Sequence, residues 1–317
     1  MRLAILDDYQ RTACAMADWD SLRPTVLLQA FHDTLANEDA VFERLRDFEI
    51  VVAMRERTRF PRSLLERLSK LQLLITTGMR NASIDVKAAI ERGIVVSGTG
   101  MLPYPTMELC WGLILALARN IVREDAGMRK GDWQTTLGTG LSGKVLGVVG
   151  LGNLGSQVAR IGKAFHMDVI AWSPNLTTER ASALGVHRVE KDELFRRADF
   201  VTIHLVLAPR TRGLVGPGEL AAMKPTSYLV NTSRGPIVDE SALIAALENR
   251  RIAGAALDVY NHEPLPTNHA LRRLENVVLT PHLGYVTAEN YREAYGQAVE
   301  NVRSFLAGSP IRVLAVE

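Results

Sequence analysis

The chain has 317 residues, 47% of them hydrophobic, which is more than one domain ordinarily carries and enough to bury sizeable cores. Its 37 Lys and Arg against 35 Asp and Glu leave a net charge of +2, so no basic field points to nucleic acid or to an anionic membrane surface. Two scattered cysteines, Cys14 and Cys110, exclude a disulfide framework or a cysteine metal cluster, and no metal site is expected. The first eight residues read as a strand ending in two acids rather than as a signal peptide, and no apolar stretch has the length of a membrane span. A reduced, cytoplasmic protein is expected.

Residues 1 to about 100 alternate short apolar strands (3–6, 26–30, 50–53, 73–76, 95–97) with amphipathic helices near 40–46, 61–68 and 84–92. Such alternation predicts a parallel sheet covered by helices. A Gly/Pro-rich break at 98–105 marks a boundary, and one long helix is expected over 106–129. A second module follows, with strands at 145–149, 169–172, 200–204, 228–231, 255–259 and 277–280. Six strands of this kind are the complement of a dinucleotide-binding sheet. The segment 288–306 reads as one helix that returns to the first domain. The expected domains are 1–103 with 287–317, and 104–286.

The second module opens on an apolar run, Val145–Val149, followed by Gly150-Leu151-Gly152-Asn153-Leu154-Gly155 and a helical pattern. In G-x-G-x-x-G, Gly150 permits a tight turn, Gly152 lets backbone approach a pyrophosphate, and Gly155 permits close packing of helix on strand. The amides around Asn153 and Leu154 then open a helix whose dipole favours negative charge. The pattern alone is weak, but strand before and helix after make dinucleotide binding the preferred reading over a bare βα turn.

Three further stretches place reactive side chains just beyond strands: Arg234 in Asn231-Thr232-Ser233-Arg234-Gly235, Glu263 in Asp258-Val259-Tyr260-Asn261-His262-Glu263-Pro264, and His282 in Thr280-Pro281-His282. Open α/β sheets bind ligands at the carboxyl ends of their strands. An arginine there can grip a carboxylate, and an acid–histidine pair can deliver a proton as hydride reaches a carbonyl carbon. Taken singly, each has a plainer reading: a surface ion pair for Arg234, a turn cap for Glu263, a satisfied core histidine for His282. His204, also at a strand end, reads as structural.

Together these stretches resemble the signatures of the D-isomer-specific 2-hydroxyacid dehydrogenases, as does Leu141-Ser142-Gly143-Lys144-Val145-Leu146-Gly147 ahead of the glycines. The resemblance implies an α/β protein with a Rossmann-type dinucleotide-binding domain inserted into a flavodoxin-like substrate domain. It implies Arg234 on the substrate carboxylate, His282 as proton donor and acceptor, and Glu263 as its partner. It implies Gly150, Gly152, Asn153, Leu154 and Gly155 around the diphosphate, with Thr232 and Asp258 at the nicotinamide end. In the first domain Arg55 is a possible second anion contact, and Gly78 and Met79 belong to a loop whose amides bind the carboxylate. Arg80 stands where many members have glycine, and Ser173 where an aspartate usually reads the ribose. That loss leans the coenzyme from NAD toward NADP. A small 2-oxo or 2-hydroxy acid substrate and a homodimer built mainly on the dinucleotide domain are also implied, the apolar 109–117 face needing cover. An alternative from another class is a dinucleotide-binding co-repressor-like protein with little or no turnover.

Overall fold

The computed structural model describes residues 1–35 and 37–315; residues 36, 316 and 317, which the expected domains include, lie outside the described residues. The chain divides into two compact units, Met1–Leu102 with Val286–Glu317, and Pro103–Tyr285.

In chain order the first unit contains β1 (Arg2–Ile5), β2 (Leu27–Ala30), α1 (Glu38–Leu45), β3 (Ile50–Ala53), α2 (Arg62–Arg67), β4 (Leu73–Thr76), α3 (Val86–Glu91) and β5 (Val95–Gly98). The second contains α4 (Pro105–Ala118), α5 (Ile121–Met128), β6 (Val145–Val149), α6 (Asn153–Ala164), β7 (Asp168–Trp172), α7 (Thr178–Ala183), β8 (His187–Arg188), α8 (Lys191–Arg197), β9 (Phe200–Ile203), α9 (Pro217–Ala222), β10 (Tyr228–Asn231), α10 (Glu240–Glu248), β11 (Gly254–Leu257) and β12 (Val277–Leu279). The chain then returns to the first unit as α11 (Ala288–Leu306).

The first sheet is parallel in the order β2-β1-β3-β4-β5, the doubly wound order of the flavodoxin type. Strands β3 and β4 are buried along their whole length, as strands covered by helices on both faces must be. Helix α11 aligns Tyr291, Ala294, Tyr295, Ala298, Val299 and Val302 on one buried stripe. Its polar side chains bind the backbone between β5 and Leu102. Asn290 Oδ1 accepts from Leu102 N (2.7 Å), Gln297 Oε1 accepts from Gly100 N (2.7 Å), and Asn301 Nδ2 donates to Gly98 O (2.8 Å). The return helix is thus an integral part of the first unit.

The second sheet is parallel in the order β12-β11-β10-β9-β6-β7-β8, and its order reverses between β6 and β9. This is a Rossmann arrangement, with a two-residue strand, β8, too short to carry a sequence signal. Alternate residues of β6 feed two cores: Leu146 and Val148 meet Cys110, Trp111, Ile114 and Val158, whereas Val149 meets Leu194, Phe195 and Ile203.

Two expectations fail here. The helix expected over 106–129 is two helices, because Asn120 takes a left-handed conformation (φ 51°) and Thr139 N donates to Ala118 O at the end of α4. Asparagine is among the few residues that visit that region readily. The apolar 109–117 face also needs no second subunit to cover it. Cys110, Trp111, Leu113, Ile114 and Leu117 are buried in their own unit's core. Exposed apolar surface lies instead at Ile121, Val122, Met128, Trp133 and Leu137.

His204 follows β9, where its Nε2 lies 2.9 Å from Thr202 Oγ1, and its Nδ1 is enclosed without a partner. Burial depresses its pKa from 6.5 to about 4. Between those values the unfolded chain binds the extra proton, so stability rises with pH across the window and is lost as pH falls through it. Wild-type melting temperature should drop from pH 6.5 toward pH 4, and His204→Asn should flatten that slope by up to about 1.4 kcal/mol per pH unit. Equal slopes would show that His204 is not held neutral by burial.

Candidate functional site

Gly150 follows β6 with φ +104° and donates its N–H to Trp172 O (2.8 Å). A Cβ there would stand 2.7 Å from His204 O, so the turn against β9 requires glycine. At Gly155 a Cβ would overlap Gly150 O, which fixes α6 tightly on the turn. Gly152 is different: a Cβ added there meets nothing within 4 Å. The protein thus leaves room for a group to approach this backbone from outside. No side chain caps α6, so the first-turn amides at Asn153, Leu154 and Gly155 are left for a ligand. Open space over Gly152 beside uncapped amides fits a dinucleotide diphosphate.

Ser173 follows β7 and is half-buried, with its carbonyl accepting from Leu176 N (3.1 Å). Thr177, in the same segment, caps α7 by accepting from Arg180 N (3.3 Å). Glu179 is held below the usual carboxylate range by its own backbone N–H and then by the Thr177 hydroxyl. Thr177 is therefore committed to the helix start.

At the neighbouring strand ends, Asn231 closes β10 and is buried; its Oδ1 accepts from Ser233 N (3.0 Å) and its Nδ2 donates to Arg234 O (3.0 Å). This small loop carries Arg234, whose Nη1 donates to Ser233 O (2.8 Å). Thr232, also buried, lies beside the Cys110 thiol, which burial pushes up to about 11.

Beyond β11 and β12 the structure brings Glu263 and His282 together, with Glu263 Oε2 2.6 Å from His282 Nδ1. The other carboxylate oxygen accepts from Tyr260 N (3.0 Å). Nε2 is the other polar atom of the imidazole. The side chain of His282 is 16% exposed and its ring meets Tyr285 edge-on at 5.6 Å.

The backbone of His282 is left-handed (φ 57°), and the loop around it is held from below by the fully buried Asp258. Asp258 Oδ1 accepts from Thr280 Oγ1 (2.6 Å) and Leu283 N (2.6 Å), and Oδ2 from Gly284 N (2.9 Å). Burial raises the pKa of Asp258, against the pull of these donors. Tyr260 OH bonds Leu257 O (3.0 Å) and Thr280 O (2.9 Å), and Thr106 Oγ1 donates to Gly284 O (2.8 Å). The sequence reading missed Tyr260, Tyr285 and Thr106, whose spacing carries no pattern; their contacts arise only when separate strand ends meet.

In the first unit, Arg55 follows β3, and Gly78 and Met79 follow β4. The Gly78 N–H does not stand open: it donates to Thr99 Oγ1 (3.1 Å). Arg55 Nη1 donates to Thr77 O (3.0 Å) and lies against Gly78, where a Cβ would overlap it. Met79 and Arg80 are exposed. Among the described residues no cluster of three or more His, Cys, Asp or Glu could hold a metal ion, and no helix is long and apolar enough to cross a membrane.

Residues 111–284 match the model of the D-isomer specific 2-hydroxyacid dehydrogenase NAD binding domain. A glyoxylate reductase from Aeropyrum pernix is 38% identical over 304 residues, covering 92% of this chain and 86% of that protein. A D-3-phosphoglycerate dehydrogenase from Methanocaldococcus jannaschii is 38% identical over 275 residues, 86% of this chain, which spans only 52% of that longer protein. The crystal structure of a phosphoglycerate oxidoreductase from Vibrio cholerae O395 superposes with a TM-score of 0.93 at 37% identity, covering 98% of this chain and 100% of that one.

The second and third glycines of the loop should separate ligand binding from stability. Gly155→Ala should cost about 1–3 kcal/mol of stability in thermal or urea unfolding. Gly152→Ala should leave unfolding unchanged but raise the dissociation constant for NADPH about tenfold or more, read by fluorescence titration. Unchanged coenzyme binding in Gly152→Ala would contradict the diphosphate reading.

Proposed function

The chain belongs to the D-isomer-specific 2-hydroxyacid dehydrogenase family, and from that premise we propose that it transfers a hydride between a nicotinamide dinucleotide and a small 2-oxo or D-2-hydroxy acid. The observation that carries this reading is the 2.6 Å contact between Glu263 and His282 at a strand end of the sheet that also bears the glycine loop and Arg234.

The residue roles follow from what each group can do. The amides of Asn153, Leu154 and Gly155, with the open backbone at Gly152 and the turn at Gly150, hold the coenzyme diphosphate. Thr232 and Asp258 meet its nicotinamide end. When bound, the coenzyme supplies the hydride. Arg234 binds the substrate carboxylate and polarises the adjacent carbonyl by a planar two-point contact. His282 delivers the proton from Nε2 to the carbonyl oxygen in reduction and takes it back in oxidation. Glu263 holds the ring by Nδ1 and compensates the imidazolium charge. In the first unit Arg55 and the Met79 N–H take an anionic group of the substrate, the Gly78 N–H being held by Thr99.

Ser173 offers a hydroxyl where a carboxylate would repel a 2′-phosphate, so both coenzymes are accepted, NADPH the better and by a modest margin. The exposed Ile121, Val122, Met128, Trp133 and Leu137 are apolar surface suited to a second copy of the chain, in a homodimer built on the dinucleotide-binding unit.

Three measurements check these proposals. His282→Ala should lose about a hundred- to ten-thousand-fold in kcat while still binding NADPH, and Arg234→Lys about ten- to a hundredfold in kcat/KM. Near-normal turnover in either would remove that residue from its role. The ratio of kcat/KM for NADPH over NADH should exceed one and invert in Ser173→Asp; a strong NADH preference in the wild type would sink the ribose reading. Light scattering at micromolar concentration should give a dimer that Trp133→Asp with Leu137→Asp weakens, and a wild-type monomer would contradict it.

A further inference from the structure

We propose that Asn81 is a positioning residue for substrate binding. It fixes Arg55 so that the first unit presents a preformed two-point cradle for a carboxylate, made of the Arg55 guanidinium and the Met79 N–H. The proposal rests on the reading of Arg55 as an anion contact.

Arg55 lies just beyond β3 in the left-handed region (φ 49°), which a residue with a Cβ occupies only when its surroundings impose it. Both of its peptide groups are tied down. Its N–H donates to Thr77 Oγ1 (3.0 Å), and its carbonyl accepts from Asn81 Nδ2 (2.6 Å). The guanidinium is then aimed by Nη1 donating to Thr77 O (3.0 Å), and it lies against Gly78, whose missing side chain leaves the room. The next amide along, Met79 N–H, meets no acceptor among the described residues, whereas Gly78 N–H is taken by Thr99.

Asn81 is 9% exposed, and besides the Arg55 carbonyl its Nδ2 reaches Thr76 Oγ1 (2.9 Å) while its Oδ1 accepts from Ser83 N (2.8 Å). The carbonyl of Arg55 can only accept and the N–H of Ser83 can only donate, so the orientation of the amide is settled. Asn81 therefore clamps the end of β3 to the end of β4 at the residue whose backbone decides where the guanidinium points. A planar fork must match a carboxylate in angle as well as distance, so releasing that backbone costs binding without removing any charge.

The test is a double-mutant cycle on the holoenzyme, with oxamate as an unreactive carboxylate probe bound in the presence of NADPH. Asn81→Ala should raise both the dissociation constant for oxamate and KM for a 2-oxo acid about tenfold, the scale of one misplaced charge-assisted hydrogen bond. kcat and NADPH affinity should stay within about twofold. In an Arg55→Ala background the same substitution should add almost nothing, because its effect acts through Arg55. Asn81→Asp serves if the alanine variant does not fold: it keeps the acceptor for Ser83 and loses the Nδ2 donor that Arg55 O and Thr76 Oγ1 share, so the same rise is expected. An equal rise in both backgrounds, no rise in either, or no oxamate binding by the wild type would overturn the proposal. If the wild type binds oxamate yet reduces no 2-oxo acid, the reaction reading fails while the oxamate cycle still decides the role of Asn81.

Discussion

His282 stands in a backbone conformation that disfavours any residue with a Cβ, and what keeps it there is a buried carboxylate. Asp258 receives three donors from the 280–284 loop, one hydroxyl and two amides, and all three come from residues flanking the histidine. A buried charge is stable only when its lone pairs are satisfied, so the loop stabilises Asp258 as much as Asp258 orders the loop. Tyr260 extends the same lattice: its hydroxyl joins the ends of β11 and β12, and its amide turns Glu263 toward the imidazole. The acid–histidine pair is thus the outermost layer of a polar structure built at adjacent strand ends, and its geometry exists before any ligand arrives.

This placement follows from sheet topology. Parallel strands deliver all their carboxyl ends to one edge, and the reversal between β6 and β9 leaves a gap there over which no helix crosses. The glycine loop lies at that reversal, and Thr232, Arg234, Asp258 and His282 lie at successive strand ends beside it. The first unit repeats the principle on a smaller sheet, with Arg55 beyond β3 and the Gly78 loop beyond β4. In both units a buried polar side chain, Asp258 in one and Asn81 in the other, holds the backbone around a left-handed residue, His282 and Arg55 respectively.

Much of this was readable from residue order. Apolar runs such as Val145–Val149 can only be buried strands, and the three glycines after them specify a turn whose geometry the structure reproduces. Gly152 is the telling one, since space lies open over its backbone. What could not be read is whatever depends on chain segments meeting in space. Asn120 breaks a helix that its flanking hydrophobicity would continue. The apolar face of α4 looked unpartnered because the sheet that buries it lies far along the chain. Asp258 carried a coenzyme role by resemblance, and its larger commitment to the histidine loop appears only from the coordinates of residues 22 to 26 positions away.

The central claim is that this polar edge performs reduction and does not merely bind a dinucleotide. It is tested most directly by following the near-ultraviolet absorbance of NADPH while the protein is given glyoxylate, hydroxypyruvate, pyruvate and phosphohydroxypyruvate in turn, with the configuration of each chiral product determined. The account predicts stoichiometric NADPH loss with at least one of these acids and a product of the D configuration. Tight NADPH binding with no loss for any of them, or an L product, would contradict it.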